Sequence, residues 1–118
     1  MANSALFIGW GEVVRGREDH ALEVFQETIE FWTEARDAGR VESFEPWLLE
    51  PHGGGLAGFI LVRGDRAAID AVDADPEFQR MMARAGAVVD DLGITRAFGD
   101  DALAQQLGFF QQAAGALA

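Results

Sequence analysis

The chain has 118 residues, of which 49% are hydrophobic and 25% charged, proportions of an ordinary globular protein and not of a disordered or fibrous one. Twenty acidic residues against nine arginines give a net charge of −11, which opposes any surface that must neutralise phosphates or settle on anionic lipid. There is no cysteine, which excludes disulfides, thiolate catalysis and Cys-ligated zinc, and no apolar run approaches the ~20 residues of a membrane helix.

Residues 5–14, Ala-Leu-Phe-Ile-Gly-Trp-Gly-Glu-Val-Val, are β-rich and end at the polar turn Arg15-Gly16-Arg17, which predicts a first strand. The opening segment, Met1 to Val14, has no basic stretch ahead of its apolar run and carries Glu12 early, so it reads as strand and not as a signal peptide, and a cytoplasmic location is expected. From Glu18 to Ala38, Leu22, Phe25, Ile29 and Trp32 recur at helical spacing, with acids ahead and Gly39 behind, matching helix start and stop chemistry. Residues 41–50 form a second strand whose Pro46 cannot donate a ladder hydrogen bond and belongs on a sheet edge. The turn Pro51-His52-Gly53-Gly54-Gly55 leads to a third strand over 56–63.

After Gly64 the pattern predicts a helix in two pieces. Residues 65–72 come first, and the restart at Asp75-Pro76-Glu77 supplies an N-cap, a proline at the first helical position and an early acid. Phe78, Met81, Met82, Ala85 and Val89 give the second piece its buried stripe, with one methionine facing in and the other partly so. Residues 94–98 make a last short strand. Asp100 or Asp101 is expected to cap a terminal helix whose Leu103, Leu107, Phe110, Ala114 and Leu117 alternate steps of four and three.

The order β-α-β-β-α-β predicts an α+β, ferredoxin-like antiparallel sheet with both main helices on one face, in one domain over 1–118 with residues 100–118 as an added C-terminal helix. Strands one and three are then central, with strand order 4-1-3-2. Leu56-Ala57-Gly58-Phe59-Ile60-Leu61-Val62 is apolar at both alternating parities and so must be covered on both sides. The helices of one copy cover one side. A second copy stacked on the other, with Trp10 or Phe7, Phe59 or Ile60, and Trp47 or Phe44 between the sheets, predicts a homodimer with a barrel-like core. The competing arrangement folds the terminal helix back over that face.

The element order over residues 5–98, the apolar third strand and the Asp73-Ala-Asp75-Pro76-Glu77-Phe78 helix start resemble the dimeric α/β-barrel superfamily, which includes the antibiotic-biosynthesis monooxygenase-like proteins. The resemblance implies a homodimer with a pocket between sheet and helices. It spans cofactor-independent oxygenases, haem-degrading enzymes, lyases and proteins without assigned activity, and it implies no single reaction. The same topology serves RNA-recognition modules, but their third strand needs a basic residue before glycine and aromatics at alternate positions. Here the basic residue is missing and Gly58 stands where a stacking ring belongs.

Candidate site residues are the polar groups on otherwise apolar segments. Glu12, Glu45 and Arg96 lie on strands, with Trp10, Trp47, Trp32 and Phe59 as aromatic walls. A carboxylate in an apolar pocket would have its charged form disfavoured and could act as general acid or base; the plainer alternative puts Glu12 and Glu45 at strand ends in water. His52, before three glycines, could orient or protonate a ligand, and His20 sits in the first helical turn. His52, Glu12 and Arg96 are the candidate catalytic residues. No metal-ligand spacing occurs: the two histidines are far apart, and capping accounts for Asp65 and Asp75. The expected function is binding, or conversion by oxygen or acid-base chemistry, of an apolar or aromatic small molecule without cofactor or metal. The alternative is a non-catalytic binding or assembly module whose terminal helix docks on a partner subunit.

Overall fold

The computed structural model describes residues 2–117; Met1 and Ala118, the ends of the expected 1–118 domain, lie outside the described residues. In chain order the elements are β1 (Ser4–Trp10), α1 (Glu18–Asp37), β2 (Ser43–Leu48), β3 (Gly58–Gly64), α2 (Arg66–Asp73), α3 (Pro76–Gly86), β4 (Gly93–Phe98) and α4 (Asp100–Ala116). The four strands form an antiparallel sheet in the order β2-β3-β1-β4, so the two apolar strands are central and Pro46 stands on an edge strand.

Strand alternation divides the sheet into two unlike faces. Leu6 and Ile8 of β1 and Ile60 and Val62 of β3 are fully buried against α1 (Phe31, Trp32, Ala35), α2 (Ile69, Val72) and α3 (Phe78, Met81, Met82, Ala85). Both methionines are buried, where one was expected to be partly so. The opposite parity places Phe7, Phe59, Leu61 and Trp47 on the second face, where Phe7 stacks on Phe59 at 5.0 Å and Trp47 is the cross-strand partner of Phe59. Trp47 is 56% exposed. Of the residues expected between two stacked sheets, Phe7, Phe59 and Trp47 therefore face outward, while Trp10, Ile60 and Phe44 belong to the helix side.

Two caps form as their chemistry requires. Asp65 accepts the Ala68 amide at 2.8 Å and Asp75 accepts the Glu77 amide at 2.9 Å, satisfying donors left free in the first helical turn. The break between α2 and α3 follows from Asp75 and Pro76, since proline cannot supply an amide to a continuing helix.

Three expectations are corrected, and the competing arrangement of the terminal helix is not adopted. The first strand ends at Trp10, not residue 14, because residues 11–14 leave the sheet for the segment after α3: Gly11 donates to the Asp90 carbonyl at 2.7 Å, Val14 to that of Val88 at 2.9 Å, and Val13 bridges Val89. Of the predicted α1 stripe, Trp32 is buried with its neighbours Phe31 and Ala35 and with Thr28, and Ile29 packs on the core, but Leu22 is 63% exposed. Neither Asp100 nor Asp101 caps α4. Gly99 occupies that position without a side-chain bond, and Asp100 adopts a φ of +49°. Lastly, α4 does not fold back over the open sheet face: it leaves the end of β4 with none of its residues buried. The radius of gyration, 16.4 Å, accordingly exceeds the ~13.5 Å of a compact chain this long.

Candidate functional site

Between the helix side of the sheet and the first half of α1 lies a cavity of about 430 Å³. Ile8, Trp10, Ile60 and Leu48 form its floor, and Leu22, Phe25 and Thr28 of α1 one wall. Met82 and Ala85 of α3, continued by Val88, Val89 and Leu92, close the other wall together with Val13. The departure of residues 11–14 from the sheet builds this end of the cavity, because it draws Val13 onto Val89.

Trp10 is positioned by glycine. A Cβ on Gly58 would lie 2.7 Å from Cζ2 of Trp10 and 2.8 Å from the Trp47 carbonyl oxygen, so the indole rests where only a hydrogen fits. Its other neighbour is Phe25, edge-on with ring centres 6.0 Å apart. The lining is almost wholly apolar. The Thr28 hydroxyl is turned to the Val24 carbonyl at 2.8 Å, and Glu18, the one charged lining residue, accepts the Gly16 amide at 2.6 Å. An ion moved into such a lining would lose hydration without gaining a partner.

The structure brings one of the eight candidate residues, Trp10, to this cavity; Glu45, on the open sheet face, pairs with Arg63 at 3.7 Å. Trp32 is fully buried one helical turn beyond Thr28, wedged between Phe31 and Phe78 with ring centres at 4.9 and 5.6 Å, and its indole nitrogen has no hydrogen-bond partner. Phe59 and Trp47 lie on the open sheet face. His52 is exposed in the turn before β3, where Nδ1 accepts the Gly54 amide at 3.2 Å and Nε2 meets the Leu56 carbonyl at 2.7 Å. Both ring nitrogens therefore hold the turn in the neutral tautomer protonated at Nε2. The Glu12 side chain is exposed, and its carbonyl accepts the Asp90 amide at 2.8 Å.

Arg96 reaches from β4 to α2, donating to Asp73 at 2.8 Å and to Asp70. The hydrogen bond to Asp73, then that to Asp70, raises its pKa further above an already high value, so it stays charged. Asp75 is held below the usual carboxylate range, first by the Arg40 guanidinium at 2.7 Å and then by the Glu77 amide. His52, Glu12 and Arg96 thus occupy three separate places, each with an evident structural task or in solvent. Among the described residues no group of three or more His, Asp or Glu side chains could hold a metal ion, and no helix is long and apolar enough to cross a membrane.

Sequence reasoning missed Phe25 and Met82 as cavity walls, since helical periodicity marks them only as apolar. It also missed Val88 and Leu92, which lie in an irregular segment with no periodicity to read.

No protein-family model matches the chain, and no curated protein matches it. Solved structures do. A dimeric ferredoxin-like protein of unknown function from Jannaschia sp. CCS1 aligns with a TM-score of 0.60 at 18% identity, over 82% of this chain and 98% of the other. SnoaB, a cofactor-independent oxygenase from Streptomyces nogalater, aligns at 0.53 and 18% over 84% and 95%. An antibiotic biosynthesis monooxygenase, so described for Chloroflexus aurantiacus, aligns at 0.52 and 14% over 82% and 93%. At these identities the likeness concerns the backbone, and the chain has the α+β ferredoxin-like fold of the dimeric ferredoxin-like and antibiotic biosynthesis monooxygenase-like proteins.

Proposed function

We propose that this protein is a homodimer that binds an uncharged apolar or aromatic small molecule in the cavity between its sheet and α1. The cavity carries the proposal: 430 Å³ falls within the ~300–1,000 Å³ of small-molecule sites, and Trp10 offers an aromatic wall held in place by Phe25 and Gly58. The dimer uses the open sheet face. Phe7, Phe59, Leu61 and Trp47 make a contiguous apolar surface there, with Trp47 56% exposed and the other three partly exposed. Dimeric proteins of the same fold support this assembly.

The test is titration with the uncharged fluorophore N-phenyl-1-naphthylamine. One molecule should bind per chain with a blue shift and quench Trp10, and Ala21→Trp, which projects a ring into the cavity from α1, should abolish binding while leaving the circular dichroism unchanged. Absence of binding by the native protein, or equal binding by Ala21→Trp, would refute it.

Conversion of the bound molecule by oxygen is a second reading, supported by structural neighbours described as a cofactor-independent oxygenase and as a monooxygenase. In it the cavity supplies an apolar lining with the Trp10 and Phe25 rings, and Glu18, its one charged lining residue, is the proton acceptor. Oxygen uptake with an electron-rich phenol, lost in Glu18→Gln but with fluorophore binding retained, separates this reading from binding alone.

A further inference from the structure

A helix with no buried side chain is a helix without its partner. All of α4 is solvated or nearly so; Leu103, Leu107, Phe110 and Leu117 are exposed by 46, 56, 71 and 89%. Two glycines, Gly108 and Gly115, interrupt it, and glycine is the poorest helix former after proline. Seventeen residues of such composition form a marginal helix in water, because packing of an apolar face supplies most helical stability in proteins.

The spacing of the apolar residues indicates what kind of surface is missing. Leu103, Leu107, Phe110, Ala114 and Leu117 follow steps of four, three, four and three, a strict repeat averaging 3.5. They fall within an arc of ~80° at the ~100° advance per residue of an α-helix. The ~3.5 spacing of this seam is the pattern of helix on helix; one further large apolar side chain, Phe109, is 53% exposed and lies ~80° outside the arc. Nor is the seam the side by which α4 rests on its own chain, since its partly covered residues with side chains are Ala102 and Gln106, to one side of the seam.

Charge points to the partner. Residues 102–118 contain no charged side chain in a chain of net charge −11, and the positions flanking the seam are Ala104, Gln106, Gln111 and Ala113. Charges at those flanking positions ordinarily set partner choice, and here no charge on the seam or its flanks repels an identical helix. We infer that α4 is a dimerisation arm that pairs through Leu103, Leu107, Phe110, Ala114 and Leu117 with α4 of a second copy. The inference is independent of the small-molecule reading and of the sheet-face contact.

The absence of native cysteine makes the test direct. Single-cysteine variants Leu107→Cys, Phe110→Cys and Ala114→Cys are oxidised in parallel with Gln105→Cys and Gln112→Cys, which lie on the far side of the helix. At least one seam cysteine should form a disulfide-linked dimer ~10-fold faster than either outer one, because a disulfide needs Cα atoms within ~7 Å. Repeating the reaction in a Phe59→Glu background, which disables the open sheet face, separates the two contacts: a surviving seam cross-link shows that α4 pairs by itself. In that Phe59→Glu background Phe110→Asp should weaken the remaining association ~100-fold by sedimentation equilibrium, with no loss of folding since Phe110 touches no core. Equal cross-linking on seam and outer faces, or unchanged association on adding Phe110→Asp to Phe59→Glu, would overturn the inference.

Discussion

The open sheet face makes a quantitative prediction at Phe59. Strands spaced ~4.8 Å apart with a rise of ~3.4 Å per residue give four strands of six or seven residues a footprint of ~400 Å², or roughly 600–800 Å² of accessible surface. That approaches the ~800 Å² per partner of a standard stable interface. Phe59 lies near its middle on a central strand, 5.0 Å from the Phe7 ring and opposite Trp47. In Phe59→Glu, association would bury two carboxylates against apolar side chains, at a cost of several kcal/mol per ion. Even ~4 kcal/mol raises the dissociation constant ~1,000-fold. The isolated subunit loses chiefly the Phe7 stacking, ~0.5–1.5 kcal/mol, and stays folded because this face is outside the helix-covered core. The assay is sedimentation equilibrium at micromolar concentration in a Phe110→Asp background, so that only the sheet contact is read, with circular dichroism as the folding control. The expected result is a dimer for Phe110→Asp and a folded monomer once Phe59→Glu is added. A monomeric Phe110→Asp, or a dimer that survives Phe59→Glu, would refute the reasoning.

Three further outcomes follow from the geometry. Gly58→Ala forces a methyl against Trp10 and the Trp47 carbonyl, so the indole moves toward the cavity; stability should fall by ~1–3 kcal/mol in urea melts and fluorophore affinity should fall with it. Leu6→Ala, at a fully buried position of the central strand, should cost ~2–5 kcal/mol without altering the mass of the folded assembly. Asp75 has a folded pKa below its unfolded one, so its contribution is complete above the ordinary carboxylate pKa of ~3.9 and is lost as pH falls through the depressed folded value. Melting temperatures of the native protein and Arg40→Gln should therefore differ at neutral pH and converge in acid, and a constant difference down to the acid limit would contradict the assignment.

Much of the fold was written in local chemistry. Asp75 and Pro76 announce the break between α2 and α3, Pro46 announces an edge, and the apolar β3 announces a central strand. What periodicity could not supply was phase. With both parities of β1 and β3 apolar, the pattern left Phe7 and Trp10 as equal candidates for one face, and the register decides it by setting Phe7 opposite Leu61, where it stacks on Phe59, and Trp10 opposite Gly58. On α1 a single predicted stripe divides, its first half lining the cavity through Leu22 and Phe25 and its second half entering the core through Phe31 and Trp32.

The candidate polar residues show a different limit. Arg96 is ion-paired with acids more than twenty residues away, and His52 is engaged by its own turn, so their surroundings depend on contacts that residue type alone does not encode. Gly58 joins the two levels. Its missing side chain, noticed first as a gap where a base-stacking ring would stand, is the space over which Trp10 lies. A glycine in a central strand weakens the strand, and here that cost seats the aromatic wall of the cavity, which is why a position of β3 without a side chain sets the shape of the cavity floor.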